Sequence, residues 1–528
     1  MIKSHLLACG WRYEDMDKPI IAIANSWNEF NHGHMPQRQI ADKVKEGILA
    51  AGGLPLEFNT IGPCDALAQG YEGMSYILPS RDIIADSVEA MLRSHAIVDG
   101  VVLIASCDKI TPGMLMAALR LDLPSVHICS GTCMPSISFA ASKTLRKEFL
   151  DGKIDERTMA EGNAELYPHP GVCPYMGTAN SMDIFAEALG MSLPGSATIP
   201  AATNERMRCA IQTGQLAVEL ALTGRKPSQI VTEASVRNAL TVLAALSGSL
   251  NHLIHAPAVA RQAGVEIDFD VIGEINARTP QLCAVNPSGP HSIVDLHRAG
   301  GVPAVLKELL PLLEPGCVNL QGRTVEQIAG QAVNRDPAVI HPLNDPISAQ
   351  GGIVILKGNI ARQGAAMRLS TIPADMHYFR GPAAVFNSEE LATAAVEAGQ
   401  IAEGSLVVVR YEGPKGGPGM REMHRLAGAF VGKRIAIVTD GRFSGATGGL
   451  SIGYLSPEAA LGGEIAIVEN GDEIIIDVDR RSIHLNVTDE TLQTRMQNVK
   501  PALKEVETRL LKNYARDVGS TFNGALTS

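Results

Sequence analysis

What most restricts the fold is an alternation near the start of the chain: short apolar runs give way to stretches with helical spacing, then return. The apolar runs are Pro19 to Ala24 and Gly100 to Ile104, and Leu54 to Thr60 and Ser125 to Ile128 read as further strands. Helical spacing is carried by Gln37 to Ala51, with Gly52-Gly53 as its stop, by Arg81 to His95, with Ser80 as its cap, and by Met114 to Leu121. Strands alternating with helices predict an α/β domain: a parallel sheet with right-handed crossovers and helices on both faces. Ligands of such sheets gather at the carboxyl ends of the strands.

Those strand ends carry unusual chemistry. Asn25-Ser26-Trp27-Asn28-Glu29 follows the first run, Cys64-Asp65 the second, Cys107-Asp108-Lys109 the third, and Cys129 and Cys133 the fourth. At Cys107 a soft thiolate, a hard carboxylate and an amine stand on consecutive residues. Sulfur suits iron–sulfur clusters and carboxylate oxygen suits magnesium, so neighbouring side chains can serve two metals. The plainer reading is a buried cysteine beside an ordinary Asp–Lys pair. Gly171 to Met182 is a glycine-bounded loop with a further cysteine, Cys173, and a helix starting near Ser181.

A chain of 528 residues exceeds what one core organises. Helical stretches dominate the middle, at Asn204 to Leu222, Val236 to Gly264 and Asp295 to Leu313. After His341 to Pro346 the texture becomes short β-rich runs: Ile353 to Leu356, Ser405 to Arg410, Arg434 to Thr439, Glu464 to Val468, Glu473 to Val478 and Ser482 to Val487. The last two read as a hairpin, and closely spaced short strands predict a barrel or sandwich. The expected division is an α/β domain over residues 1–345 and a β-barrel-like domain over 346–528. Pro501 to Asp517 reads as a terminal helix, and the small-residue tail from Val518 is placed to fold back over a site.

A net charge of −11 without a Lys/Arg block gives no electrostatic footprint for nucleic acid. No apolar run reaches ~18 residues and Met1 to His5 lacks the pattern of a signal peptide, so a cytoplasmic protein without membrane contact is expected. Nine cysteines in such a chain predict thiols and ligands rather than a disulfide framework. Two glycine-rich stretches, Tyr411 to Met423 and Thr439 to Gly449, lack the Gly-x4-Gly-Lys-Ser order of a nucleotide loop.

Taken together, the motifs resemble the dihydroxy-acid dehydratase and phosphogluconate dehydratase family. The resemblance is carried by Asn25 to Glu29, Ser80-Arg81-Asp82-Ile83-Ile84-Ala85-Asp86-Ser87, Cys107 to Lys109 with Pro112-Gly113-Met114, Gly177 to Met182, Glu412 to Met420 and Asp440 to Gly445. It implies an enzyme, a hydro-lyase that dehydrates a 2,3-dihydroxy acid to a 2-keto acid with an iron–sulfur cluster on three cysteines and a magnesium ion beside it. By motif position Cys107 and Cys173 hold the cluster, Asp65, Asp108, carbamylated Lys109 and Glu422 hold magnesium, and Ser444 is the base. One subgroup has its first cluster cysteine where Gly33 stands here, and Cys64, directly before Asp65, is the substitute. Both [4Fe-4S] and [2Fe-2S] remain open. Glu412 is the alternative to Glu422, and His32 and His34 are weaker metal candidates.

The leading substrate is 2,3-dihydroxyisovalerate, giving 2-oxoisovalerate in branched-chain amino-acid biosynthesis. The alternative is an aldonate such as arabinonate, xylonate or gluconate. A phosphogluconate is disfavoured by the lack of a basic cluster near the motifs. The resemblance also implies a homodimer or homotetramer. The other classes weighed are a non-catalytic scaffold and a serine hydrolase, and Ser444 lies outside a Gly-x-Ser-x-Gly elbow.

Overall fold

A computed structural model of the chain describes residues 2–429, 434–444, 447 and 449–527. Two compact units are present: residues 1–63, 83–242 and 290–342 form one, and residues 64–82, 243–289 and 343–528 the other.

The first unit contains a four-stranded parallel sheet of β1 (Ile20–Asn25), β2 (Leu54–Asn59), β3 (Gly100–Ile104) and β4 (Ser125–Ile128), in the order β2-β1-β3-β4. Strands β1, β3 and β4 are buried along their whole length, including Ser125 and His127 of β4, while β2 at the edge alternates. Helices Gln37–Ala50 and Asn204–Thr223 pack closely, and two glycines permit it. A Cβ on Gly47 would lie 2.1 Å from the Ile211 carbonyl oxygen, and one on Gly214 would lie 2.2 Å from that of Val44.

The second unit holds a closed eight-stranded barrel. Its strands are β5 (Ile353–Gly358), β6 (Ala361–Arg368), β7 (Tyr378–Phe386), β8 (Leu406–Val409), β9 (Ala436–Thr439), β10 (Ser451–Ser456), β11 (Glu473–Asp477) and β12 (Ser482–Leu485). Around the barrel they run β10-β6-β5-β12-β11-β7-β8-β9, and β9 pairs with β10 to close it. Closure removes the exposed edges that short strands would otherwise present. The interior is filled by Val354, Leu356, Met367, Phe379, Leu406, Val408, Val438, Ile452, Ile474 and Ile476. The expected hairpin is β11–β12, with Asp477 opposite Ser482.

Several local readings shift. The helix expected from Arg81 begins at Ile77, and Ser80 bonds the Ile77 carbonyl inside it instead of capping it. Pro79 is tolerated there because a first-turn residue needs no N–H. Val236 to Gly264 divides into helices Glu233–Ala245 and His252–Gln262, with a break at Ser247, whose φ is 51°. Glu464 to Val468 is a 3-10 turn over Glu464–Ile467, because the Ala466 and Val468 carbonyls bond Arg410 instead of a neighbouring strand. Only Arg509–Asp517 of the terminal stretch is helical. Strands β6, β7 and β10 escaped the sequence reading, since β6 carries Arg362, Gln363 and Gly364, and β7 carries Gly381 and Pro382.

The tail does fold back, within the second unit. Val518 pairs with Thr527, and the turn Thr521–Asn523 packs on helix His252–Gln262. Arg81, fully buried, donates to the carbonyls of Ile254 (3.1 Å), Gly524 (2.9 Å) and Ala525 (2.7 Å) and pairs with Asp82 at 2.8 Å. Asp82 in turn accepts from the Thr527 backbone N–H and hydroxyl.

Candidate active site

In the first unit the site grows from the carboxyl end of β3. The chain leaves the strand through Ala105 and Ser106, turns sharply at Cys107 with φ at 81°, and enters the helix Ile110–Leu121. A left-handed conformation at a residue with a Cβ costs about 1–2 kcal/mol, so the surroundings must impose it. Ser106 accepts the Ser130 N–H at 2.7 Å and ties the turn to the end of β4. Cys107 is half-buried, and Lys109 is wholly buried with its Nζ 3.4 Å from an Asp108 carboxylate oxygen.

The loop after β1 joins this turn to the Cys173 segment. The Asn31 side-chain N–H donates to the Cys107 sulfur at 3.3 Å. His32 is bonded twice to Gly171: its ring Nδ1 donates to the Gly171 carbonyl at 2.6 Å, and its own carbonyl accepts the Gly171 N–H. Asn180, at the start of helix Thr178–Ala188, donates to the carbonyls of Cys173 (2.6 Å) and Tyr175 (2.7 Å) and fixes that loop from the other side. The charge of nearby Cys173, followed by burial, raises the Tyr175 hydroxyl well above its ordinary range.

His34 donates its Nδ1 N–H to the Ser26 carbonyl at 2.6 Å, and burial pushes its pKa down to about 4. Asn28 donates to the Gly62 carbonyl, two residues before Cys64. Cys129 and Cys133 are buried thiols facing the carbonyls of Ala197 and Leu166, and desolvation pushes each up to about 12. A thiol so desolvated is a poor ligand or nucleophile.

Behind the Cys107 turn lies a buried carboxyl that sequence reasoning missed. Asp183 accepts from the Thr111 hydroxyl at 2.9 Å, and burial pushes its pKa up to about 7 against smaller opposing effects of Thr111 and Arg206. The unfolded group titrates near 3.8, so between about pH 4 and 7 the folded state holds a proton that the unfolded state has lost. Its contribution is full below pH 4 and falls, by on the order of 2–4 kcal/mol, as pH rises to 7. The Asp183→Asn variant is therefore expected to lose much less stability than the wild type between pH 5 and 8. Urea midpoints at the two pH values measure this, and parallel losses in both proteins would place the titrating group elsewhere.

In the second unit, Cys64 is half-buried at the cap of the short helix Asp65–Ala68, and Asp65 is buried in its first turn. Glu422 pairs across a backbone bridge with Arg442. One Glu422 carboxylate oxygen accepts from Arg442 Nη1 at 2.5 Å and from Asn251 Nδ2 at 2.8 Å. The Asn251 oxygen accepts from Arg442 and from the Tyr454 hydroxyl at 2.6 Å, so all four side chains are locked in one buried network. Ser444, half-buried, stands two residues beyond Arg442. Gly445, Ala446 and Gly448 lie outside the described residues.

Glu412 serves the loop. It is fully buried and accepts from Lys504 (2.5 Å), Arg421 (3.2 Å) and the Glu389 N–H (2.9 Å). Asp440 accepts the N–H groups of Tyr411, Glu412 and Ala459, and burial pushes it up to about 6. The glycines here serve close packing: a Cβ on Gly419, whose φ is 92°, would lie 1.7 Å from the Ser75 carbonyl oxygen. Asn251 and Tyr454 gave no sequence signal, because neither has a partner nearby in the chain.

The donor chemistry fits the two groups expected. Cys107 and Cys173 are half-buried sulfurs, that of Cys107 with a hydrogen-bond donor from Asn31, and Asp65, Asp108 and Glu422 are hard carboxylates suited to a divalent cation.

Among the described residues no helix is long and apolar enough to cross a membrane. Residues 18–328 match the family model described as Dihydroxy-acid/6-phosphogluconate dehydratase N-terminal, and residues 338–525 match its C-terminal counterpart. The dihydroxy-acid dehydratase of Caldanaerobacter subterraneus is 46% identical over 540 aligned residues, covering 99% of this chain and 96% of that protein. Those of Pyrococcus abyssi, 45% identical with 98% and 96% covered, and Ignicoccus hospitalis, 42% identical with 96% and 94% covered, are similar across the same extent.

Proposed function

The chain belongs to the dihydroxy-acid/6-phosphogluconate dehydratase family, hydro-lyases, and from that premise we propose that it converts 2,3-dihydroxyisovalerate to 2-oxoisovalerate in branched-chain amino-acid biosynthesis. The observation that supports this substrate best is the run of relatives named dihydroxy-acid dehydratase at 41–46% identity over nearly the whole chain. We place the enzyme in the cytoplasm, as a homodimer or homotetramer.

Cys64, Cys107 and Cys173 hold an iron–sulfur cluster in this reading, and Asp65, Asp108, carbamylated Lys109 and Glu422 hold magnesium. When bound, these groups supply Lewis acidity at the C3 hydroxyl and positive charge beside the carboxylate and C2 oxygen. Ser444, as its alkoxide, takes the C2 proton; the bond from C3 to its hydroxyl breaks and the departing hydroxide receives that proton from Ser444 and leaves as water; the enol so formed then gains a proton at C3 as its C2 hydroxyl loses one to solvent, which gives the 2-keto acid. Arg442 and Asn251 hold the Glu422 carboxylate in one orientation, so that no reorganisation accompanies the reaction. Asn180 does the same for the Cys173 loop.

Substrate choice is tested by 2-keto acid formation with anaerobically reconstituted protein, comparing 2,3-dihydroxyisovalerate with arabinonate, xylonate and gluconate. At least tenfold higher efficiency on the branched-chain acid is expected, a transition-state preference of about 1.4 kcal/mol. An aldonate preferred by that margin would make this a sugar-acid dehydratase.

A further inference from the structure

We propose that Asn31 is a positioning residue for the cluster: its side-chain N–H, donated to the Cys107 sulfur, draws electron density from that sulfur and raises the reduction potential of the group it holds. The inference rests on Cys107 being a cluster ligand.

The geometry defines which end of the amide faces the sulfur. Asn31 is buried, and its Oδ1 accepts the Gly33 backbone N–H at 2.8 Å. A backbone N–H can only donate, so the atom facing it is the oxygen and the atom facing Cys107 is the NH2 group. The Asn31 backbone is held as well: its N–H donates to the Asn28 side chain at 3.1 Å, and its carbonyl accepts the His34 N–H at 2.9 Å. Position 33 gives little room for adjustment, because a Cβ on Gly33 would lie 3.0 Å from Val172 Cγ1 and 3.1 Å from Asn31 Oδ1. The donor is fixed from three sides.

A neutral donor at a ligand sulfur stabilises whichever cluster state carries more negative charge, which is the reduced one. Asn31 adds no charge of its own.

The test is a redox titration, followed by electron paramagnetic resonance, of the full-length reconstituted protein as wild type, Asn31→Ala and Asn31→Asp. The aspartate keeps an acceptor for the Gly33 N–H and puts an acceptor in place of the donor, so it separates the effect on sulfur from loop support. At the potential where the wild-type cluster is half reduced, the reduced-to-oxidised ratio is expected to fall about tenfold in Asn31→Asp, about 59 mV for a one-electron couple. The fall in Asn31→Ala is expected to be smaller, with iron and sulfide content unchanged. Equal potentials in all three proteins overturn the proposal. So does loss of the cluster from both variants, since Asn31 would then only support the loop. A wild-type protein that takes up no iron and sulfide overturns the cluster reading itself, and is recognised by its metal content before any titration.

Discussion

Replacing Ser444 with alanine is expected to lower turnover by on the order of 10³, about 4 kcal/mol, while iron and sulfide content stay at the wild-type level. A C2 hydrogen beside a carboxylate is weakly acidic, so on the proposed mechanism the loss of Ser444 removes the base for that step. Ser444 is half-buried, so the substitution takes away one oxygen and little packing. Turnover and metal content measured on the same preparation decide the matter. Near-normal turnover would take Ser444 out of the mechanism, and loss of metal would make its role structural.

The second large effect is on stability. Arg81→Met is expected to destabilise the protein by about 3–5 kcal/mol, because it leaves the Asp82 carboxylate without its cation and three buried carbonyls without their donor. Residues 524–527 should then become accessible, since Asp82 is also the acceptor for Thr527. A fall in the urea midpoint together with faster removal of the tail by carboxypeptidase is the expected result. A lower midpoint with an unchanged tail would show that Arg81 acts only inside its own helix.

The parallel sheet was legible because β1 and β3 are buried on both faces and read as almost wholly apolar runs. The barrel was legible as a class but less so strand by strand. Its members β6 and β7 depend on closure to stabilise arginine, glycine and proline within strands, and closure is a property of the whole sheet. Among candidate site residues, those on tight turns announced themselves through consecutive reactive side chains, as at Cys107-Asp108-Lys109. Asn251, Tyr454 and Asp183 did not. Their significance comes from partners far off in sequence, 203 residues between Asn251 and Tyr454 and 72 between Thr111 and Asp183, and no local pattern encodes such a pair.

The crossing of helices Gln37–Ala50 and Asn204–Thr223 has a genetic consequence. A side chain added at Gly47 or Gly214 collides with a backbone carbonyl of the other helix, an atom that every amino acid carries. Where one side chain clashes with another, trimming the second can restore the fit. Here there is nothing to trim. A screen for second-site suppressors of Gly47→Val should therefore recover no substitution at Ile211, and revertants should arise by restoring glycine or by changes that shift a whole helix.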